Sequence, residues 1–137
     1  MSFDLHIWPF QNGEKTVFEH SLFLEIFGPE SKLERNNFRE VEFPDGSGAQ
    51  EIYGVDKEVI TSIMFTHFGG YQFFDAVWRL ANTTNSLIAW PGSKGNFAVT
   101  SNDTFAHTPA ELHALQIPIK VVNNPQELMD YIKEQRS

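Results

Sequence analysis

The chain contains no cysteine. Disulfide staples, thiolate nucleophiles and cysteine-ligated metals are therefore excluded. It also lacks any run approaching the roughly 18 apolar residues that a membrane-spanning helix needs, so no membrane partner is expected. Residues 1–10 carry no Lys or Arg ahead of their apolar positions. No secretory signal is expected from such a start, and the cytoplasm is the expected location. Basic residues are scarce: ten Lys and Arg face eighteen Asp and Glu, for a net charge of −8. An acidic surface repels phosphate backbones, which argues against a nucleic-acid partner. No repeat, linker or low-complexity segment interrupts the 137 residues. One domain, 1–137, is expected at that length.

What is abundant is apolar and aromatic. Hydrophobic residues make up 41% of the chain and include 13 Phe and 3 Trp, enough to build a core and to exclude a disordered chain. The longest apolar stretch, residues 60–81, organises the rest. In its second half Phe74, Val77, Trp78 and Ala81 recur at helical spacing, with Gln72, Asp75, Arg79 and Asn82 on the opposite stripe. Asp75 precedes Arg79 by four residues, the favourable order for a helical ion pair. In its first half Thr61, Ile63, Phe65 and His67 alternate with Ser62, Met64, Thr66 and Phe68, which reads as a strand covered on both sides. A helix closed by Gly69 is the competing reading for 59–68.

Before this stretch, Phe3, Leu5 and Ile7 alternate with Asp4, His6 and Trp8, a strand expected to end at Pro9 and the Gln11-Asn12-Gly13 cluster. Thr16 with Glu19 has the form of a capping box. A helix over 17–27 would follow, presenting Phe18, Leu22, Phe23, Ile26 and Phe27 and stopped by Gly28-Pro29. Alternation of Phe18, Leu22, Leu24 and Ile26 supports a strand pair instead. Residues 30–37 read as a loop, 38–43 as a strand, Pro44-Asp45-Gly46 as a turn, and 49–55 as the hairpin partner beside the organising strand.

After the helix, a loop is expected over 82–86, buried strands over 87–90 and 97–100, and a turn over 91–95. Thr108-Pro109-Ala110-Glu111 and Asn124-Pro125-Gln126-Glu127 both place a cap residue, a proline and a glutamate where helices begin, with a strand over 117–122 between them. The expected class is α+β: a single domain with a mixed sheet, an N-terminal meander and a C-terminal βαβ-like part, packed with three to four helices.

Catalytic patterns are missing. The histidines His6, His20, His67, His107 and His113 form no HExxH, and no GxSxG is present. Ser101, Asp103 and His107 crowd together in sequence, but triads are defined by geometry, and Ser101 and Asp103 suit the first turn of a helix ahead of Phe105. Gly92-Ser93-Lys94-Gly95 resembles a backbone-clamping GXXG loop, yet it reads better as a hairpin turn in an acidic chain. No catalytic residue, metal site or cofactor is expected.

Two candidate sites remain. Residues 1–58 hold twelve acids and five bases, −7 in all, against −1 for residues 59–137. Glu30, Glu34, Glu40, Glu42, Asp45 and Glu51 fall in expected loop and hairpin segments, where they would steer and dock a basic protein partner. Solubility is the plainer account of the same charge. The alternative site is a cleft at His67, Gly69 and Gly70, where a strand end meets a helix start and free amides attract anions. A half-buried histidine and a tight turn would explain those residues without a ligand. Two functions follow. One is a small acidic protein-binding module, similar in size, charge and lack of catalytic motif to the bacterial immunity-type inhibitors that neutralise basic nuclease toxins, a likeness of physical character that carries no residues over. The other is a small enzyme or ligand-binding domain using the His67 cleft.

Overall fold

The computed structural model describes residues 4–28, 31–33, 38–91, 96–114 and 118–136. In chain order the first elements are β1 (Leu5–Gln11), β2 (Glu14–Lys15), β3 (Phe18–Glu19), α1 (His20–Phe27), β4 (Ser31–Leu33), β5 (Arg39–Glu42), β6 (Gly48–Tyr53), β7 (Val59–Ile60) and β8 (Ile63–Gly69). They are followed by α2 (Tyr71–Thr84), β9 (Ser86–Ala89), β10 (Phe97–Val99), α3 (Asn102–His107), α4 (Ala110–Ala114), β11 (Ile119–Val121) and α5 (Pro125–Arg136). Eight strands form one sheet in the order β11-β10-β9-β1-β8-β6-β5-β4, with β2 paired beside β1. The pairs β4–β5, β5–β6 and β6–β8 are antiparallel and make the expected N-terminal meander. Among the described residues only β10 and β11 pair in parallel. Parallel neighbours need a crossover, which α3 and α4 supply. The class is α+β with a mixed sheet, as read from the sequence, and α3 and α4 begin at the helix starts read from Ser101 and Thr108-Pro109.

Alternation along the strands builds two cores. Leu5 and Ile7 of β1, Ile88 of β9 and Ala98 of β10 face the main core with α1, α2 and α5, while Trp8, Phe10, Leu87, Phe97 and Val99 face a smaller one with Phe105 and Leu112. One sheet half is thus sandwiched between helical layers. In the main core the Phe rings form a chain from helix to strand to helix. Phe23 stacks on Phe27 at 4.9 Å, Phe27 on Phe65 at 5.7 Å, and Phe65 meets Phe73 edge-on at 5.2 Å. Each such pair adds about 0.5–1.5 kcal/mol beyond the area it buries.

The helical stripe of α2 is observed: Phe74, Val77, Leu80 and Ala81 are buried, and Arg79 pairs with Asp75 at 3.0 Å. Trp78 is half-buried, and its indole N–H donates to the Val122 carbonyl at 2.9 Å. The helix runs three residues further than expected and closes on Asn85 in the left-handed conformation, φ 52°. Residues 63–69 are a strand, so the helical alternative is overturned there. Around α1 both readings are met in part. Phe18 and Glu19 pair with β7, and the helix starts only at His20 without a side-chain cap, so the Thr16–Glu19 capping box does not form.

Two boundaries are corrected. The first strand continues through Pro9 to Gln11, because β8 pairs β1 only as far as Ile7 and no ladder bond is asked of Pro9 on that flank. Asn12 and Gly13, φ 52° and 85°, then form a two-residue hairpin turn into β2. Residues 31–33, expected as loop, add an edge strand to β5. The helix start at Asn124 holds as read: its side chain accepts from Glu127 N at 2.9 Å, and Glu127 accepts from Asn123 N at 3.1 Å.

Candidate functional site

Beyond β1 the second helical layer stops. On β6 and β8 the face away from α2 carries Glu51, Tyr53, Met64 and Thr66 with no described helix over it. Glu51 stands opposite Thr66 and Tyr53 opposite Met64 in the strand register. The Glu51 carboxylate accepts from the Tyr53 hydroxyl at 2.6 Å on one oxygen and from the Thr66 hydroxyl at 2.9 Å on the other. His67 Nδ1 lies 3.9 Å from the same carboxylate. The bond from Tyr53, then that from Thr66, holds Glu51 below its ordinary pKa, opposed by partial desolvation and helped by His67. The same bond raises the pKa of Tyr53, since ionising the phenol would remove the donor.

His67 has φ 47°, unusual for a residue with a side chain. The turn it makes resets the alternation of β8. Phe65 and Phe68 stand three apart yet both pack on Phe73, at 5.2 and 5.3 Å, and His67 is left exposed. Strict alternation places His67 on the face of Phe65, so the strand pattern alone misplaces it.

The two candidate sets meet here. Glu40, Glu42, Gln50, His67 and Gly69 line one open cleft of about 410 Å³ between β5 and the end of β8. Glu40 and Glu42 are exposed, Lys32 stands opposite Glu40 on β4, and Glu51 is half-buried beside the cleft. Glu30 and Glu34 lie outside the described residues.

Asp45 is engaged differently. Its carboxylate accepts from Ser47 N at 2.8 Å and Gln72 N at 3.1 Å, and Gln72 Oε1 accepts from Asp45 N at 2.8 Å. Hydrogen bonding from Ser47 leads the causes that lower the Asp45 pKa. Ser47 Oγ accepts from Phe73 N at 3.0 Å. Two first-turn amides of α2, which an anion would need, are thus taken by the β5–β6 turn. Gly70 has φ 96°, and a Cβ there would overlap Ser47, whereas a Cβ on Gly69 would meet open space. Gly70 is needed for the turn; Gly69 lines the cleft.

The other histidines are tied into the fold. His107 Nδ1 accepts from Asn12 N at 3.0 Å, His20 Nδ1 contacts the Val55 carbonyl, and His113 stacks on Phe105 at 4.5 Å. Ser101 Oγ accepts from Thr104 N at 3.1 Å as the cap of α3, so Ser101, Asp103 and His107 form no triad. Among the described residues no three His, Asp or Glu side chains gather in a way that would hold a metal ion, and no helix is long and apolar enough to cross a membrane. Sequence reading missed Tyr53, Thr66 and Ser47, whose roles depend on strand register; the Asp45-Gly46-Ser47 turn was the one local sign of a capping loop. Comparison with protein families, curated proteins and solved structures found no match to this chain.

Proposed function

We propose that this protein is an acidic protein-binding module that docks a basic partner on the open sheet face around Glu51. Inhibition of a basic, nuclease-like toxin, in the manner of an immunity protein, is the class of task that fits. The observation carrying the proposal is that Glu40 and Glu42, from the chain half that holds −7 of the −8 net charge, share a cleft with His67, whose ring lies 3.9 Å from Glu51. A carboxylate already held by two hydroxyls loses little freedom when an Arg or Lys arrives. Exposed Glu40 and Glu42 contribute to encounter more than to the bound state. The test is stopped-flow association with the protein recovered from the native host by pull-down. The expected rate falls steeply with added salt and with Glu40→Gln, Glu42→Gln and Glu51→Gln combined, while the fold is kept. An acidic partner, or a rate indifferent to both, sinks the proposal.

The second reading is a small ligand in the same cleft, favoured by its volume and by His67 and Gly69 on its wall. Phosphate, sulfate, nucleotides or divalent ions would then move the His67 NMR resonances or raise Tm. A screen that moves neither removes it.

A further inference from the structure

The open sheet face has an apolar end. Where the cover of α4 stops, Trp8, Pro9, Phe10, Pro109 and Leu112 line a groove of about 540 Å³, with Thr61 and Ser62 along its β8 side and the exposed Lys15 and Glu111 on its wall. Trp8 is half-buried and Leu112 half-exposed, so apolar surface that belongs to the second core reaches solvent here. From the groove the sheet surface continues without a break in the register. His6, beside Trp8 with ring centroids 5.5 Å apart, stands opposite Met64, and Met64 opposite Tyr53, the donor to Glu51. An apolar groove and an acidic patch thus lie on one face of one sheet.

We propose that this groove is the anchor pocket of the same docking surface, and that its occupant is an apolar side chain, aromatic or aliphatic, carried on a basic segment of the partner. The inference rests on the acidic-docking proposal and adds to it which residue the partner inserts. Interfaces draw most of their binding from a few large side chains seated in desolvated pockets, with charges at the rim setting rate and orientation. The charges here select one orientation. Lys15 stands at the hairpin end of the groove, and the Glu51 patch lies across β8 at the other side. Lys15 and Glu111 on the groove's own wall offset each other, so the net attraction for a basic segment comes from the Glu51 patch. The partner's Arg and Lys residues therefore flank its anchor on the β8 and β6 side.

Two synthetic peptides test this: a short arginine–alanine peptide with one central phenylalanine, and the same peptide with alanine in its place. Calorimetric titration should show the phenylalanine peptide binding roughly tenfold tighter or more, the order expected for burying one aromatic side chain. The Trp8 indole resonance should move with that peptide alone. Leu112→Asp should erase the difference between the peptides; Thr61→Trp, which fills the groove from an exposed position, should do the same should Leu112→Asp fail to fold. Lys15→Glu should tighten both peptides. Equal binding of the two, salt-sensitive and lost with Glu51→Gln, overturns the anchor pocket and leaves acidic docking standing. A phenylalanine preference that ignores salt and Glu51→Gln supports the pocket and overturns acidic docking. Binding of neither peptide overturns both.

Discussion

The sheet half built from β11, β10, β9 and β1 has helical cover on both faces, and the half built from β8, β6 and β5 has it on one. In the first half both sets of alternate residues are apolar: Ile88 and Leu87, or Ala98 and Val99, point opposite ways and are all buried. In the second half Ile52 and Phe65 are fully buried beneath α1 and α2, while Glu51, Tyr53 and Met64 alternate with them and stay half-exposed. Antiparallel pairing runs through both, apart from the parallel β10–β11 pair at one edge. What differs is whether the polypeptide after a strand returns over the outer face, as α3 and α4 do between β10 and β11. Among the described residues the antiparallel meander has no helix that returns this way, so its outer face is left to water or to a partner.

The largest expected effect comes from setting the two faces of β8 against each other. Phe65→Ala should cost about 3–5 kcal/mol in urea melts, the range for a buried aromatic whose ring partners cannot all close in. Its neighbour Met64→Ala, on the open face, should cost about 1 kcal/mol or less. Similar losses at both positions would mean that something covers the outer face in solution.

The glycine pair comes next. Gly70→Ala should destabilise by about 1–3 kcal/mol, because its backbone conformation is open essentially to glycine alone and the added methyl meets Ser47. Gly69→Ala should change stability by no more than about 0.5 kcal/mol. Equal effects would show that the turn before α2 is not held by Ser47. A smaller loss, about 1 kcal/mol, is expected for Ser47→Ala, which removes the acceptor of the Phe73 amide.

The pH predictions are the finest. Asp45 and Glu51 have folded-state pKa values below their ordinary 3.8 and 4.5. Their contributions to stability are therefore complete above those ordinary values and lost as pH falls through the depressed folded ones. Asp45→Asn should flatten the acid limb of the stability curve. Tyr53→Phe should move the Glu51 NMR titration up toward 4.5, because the leading cause of its depression is gone; an unmoved titration would mean that the Tyr53 bond is absent in solution. At the alkaline end Tyr53 works with the opposite sign. Its raised pKa makes its contribution complete below about 10 and lost as pH climbs through the folded value.

Much of this was legible in the sequence, where local chemistry decides. Phe74, Val77 and Ala81 mark the buried stripe of α2 because helical period and burial are the same statement there. Asn124 and Glu127 mark the start of α5 because a cap needs only the residues that form it. The mixed sheet follows from tight turns in one half and helix starts between strands in the other. The acids of β5 and β6 and their uneven share of the charge were visible as composition.

Only the tertiary structure decided the rest. Thr16 and Glu19 spell a capping box, yet pairing Phe18 and Glu19 with β7 displaced it, since a ladder formed by distant residues is invisible to local propensity. His67 departs from its expected face because a single left-handed residue inverts every later side chain of a strand. Asp45, grouped by charge with Glu40, Glu42 and Glu51, is bound to the start of α2, a partner 27 residues away that no spacing rule anticipates. The meeting of Glu42 and His67 in one cleft, and of Trp8 and Leu112 in one groove, needed strand order and register, which link residues far apart in the chain through contacts that no single segment contains.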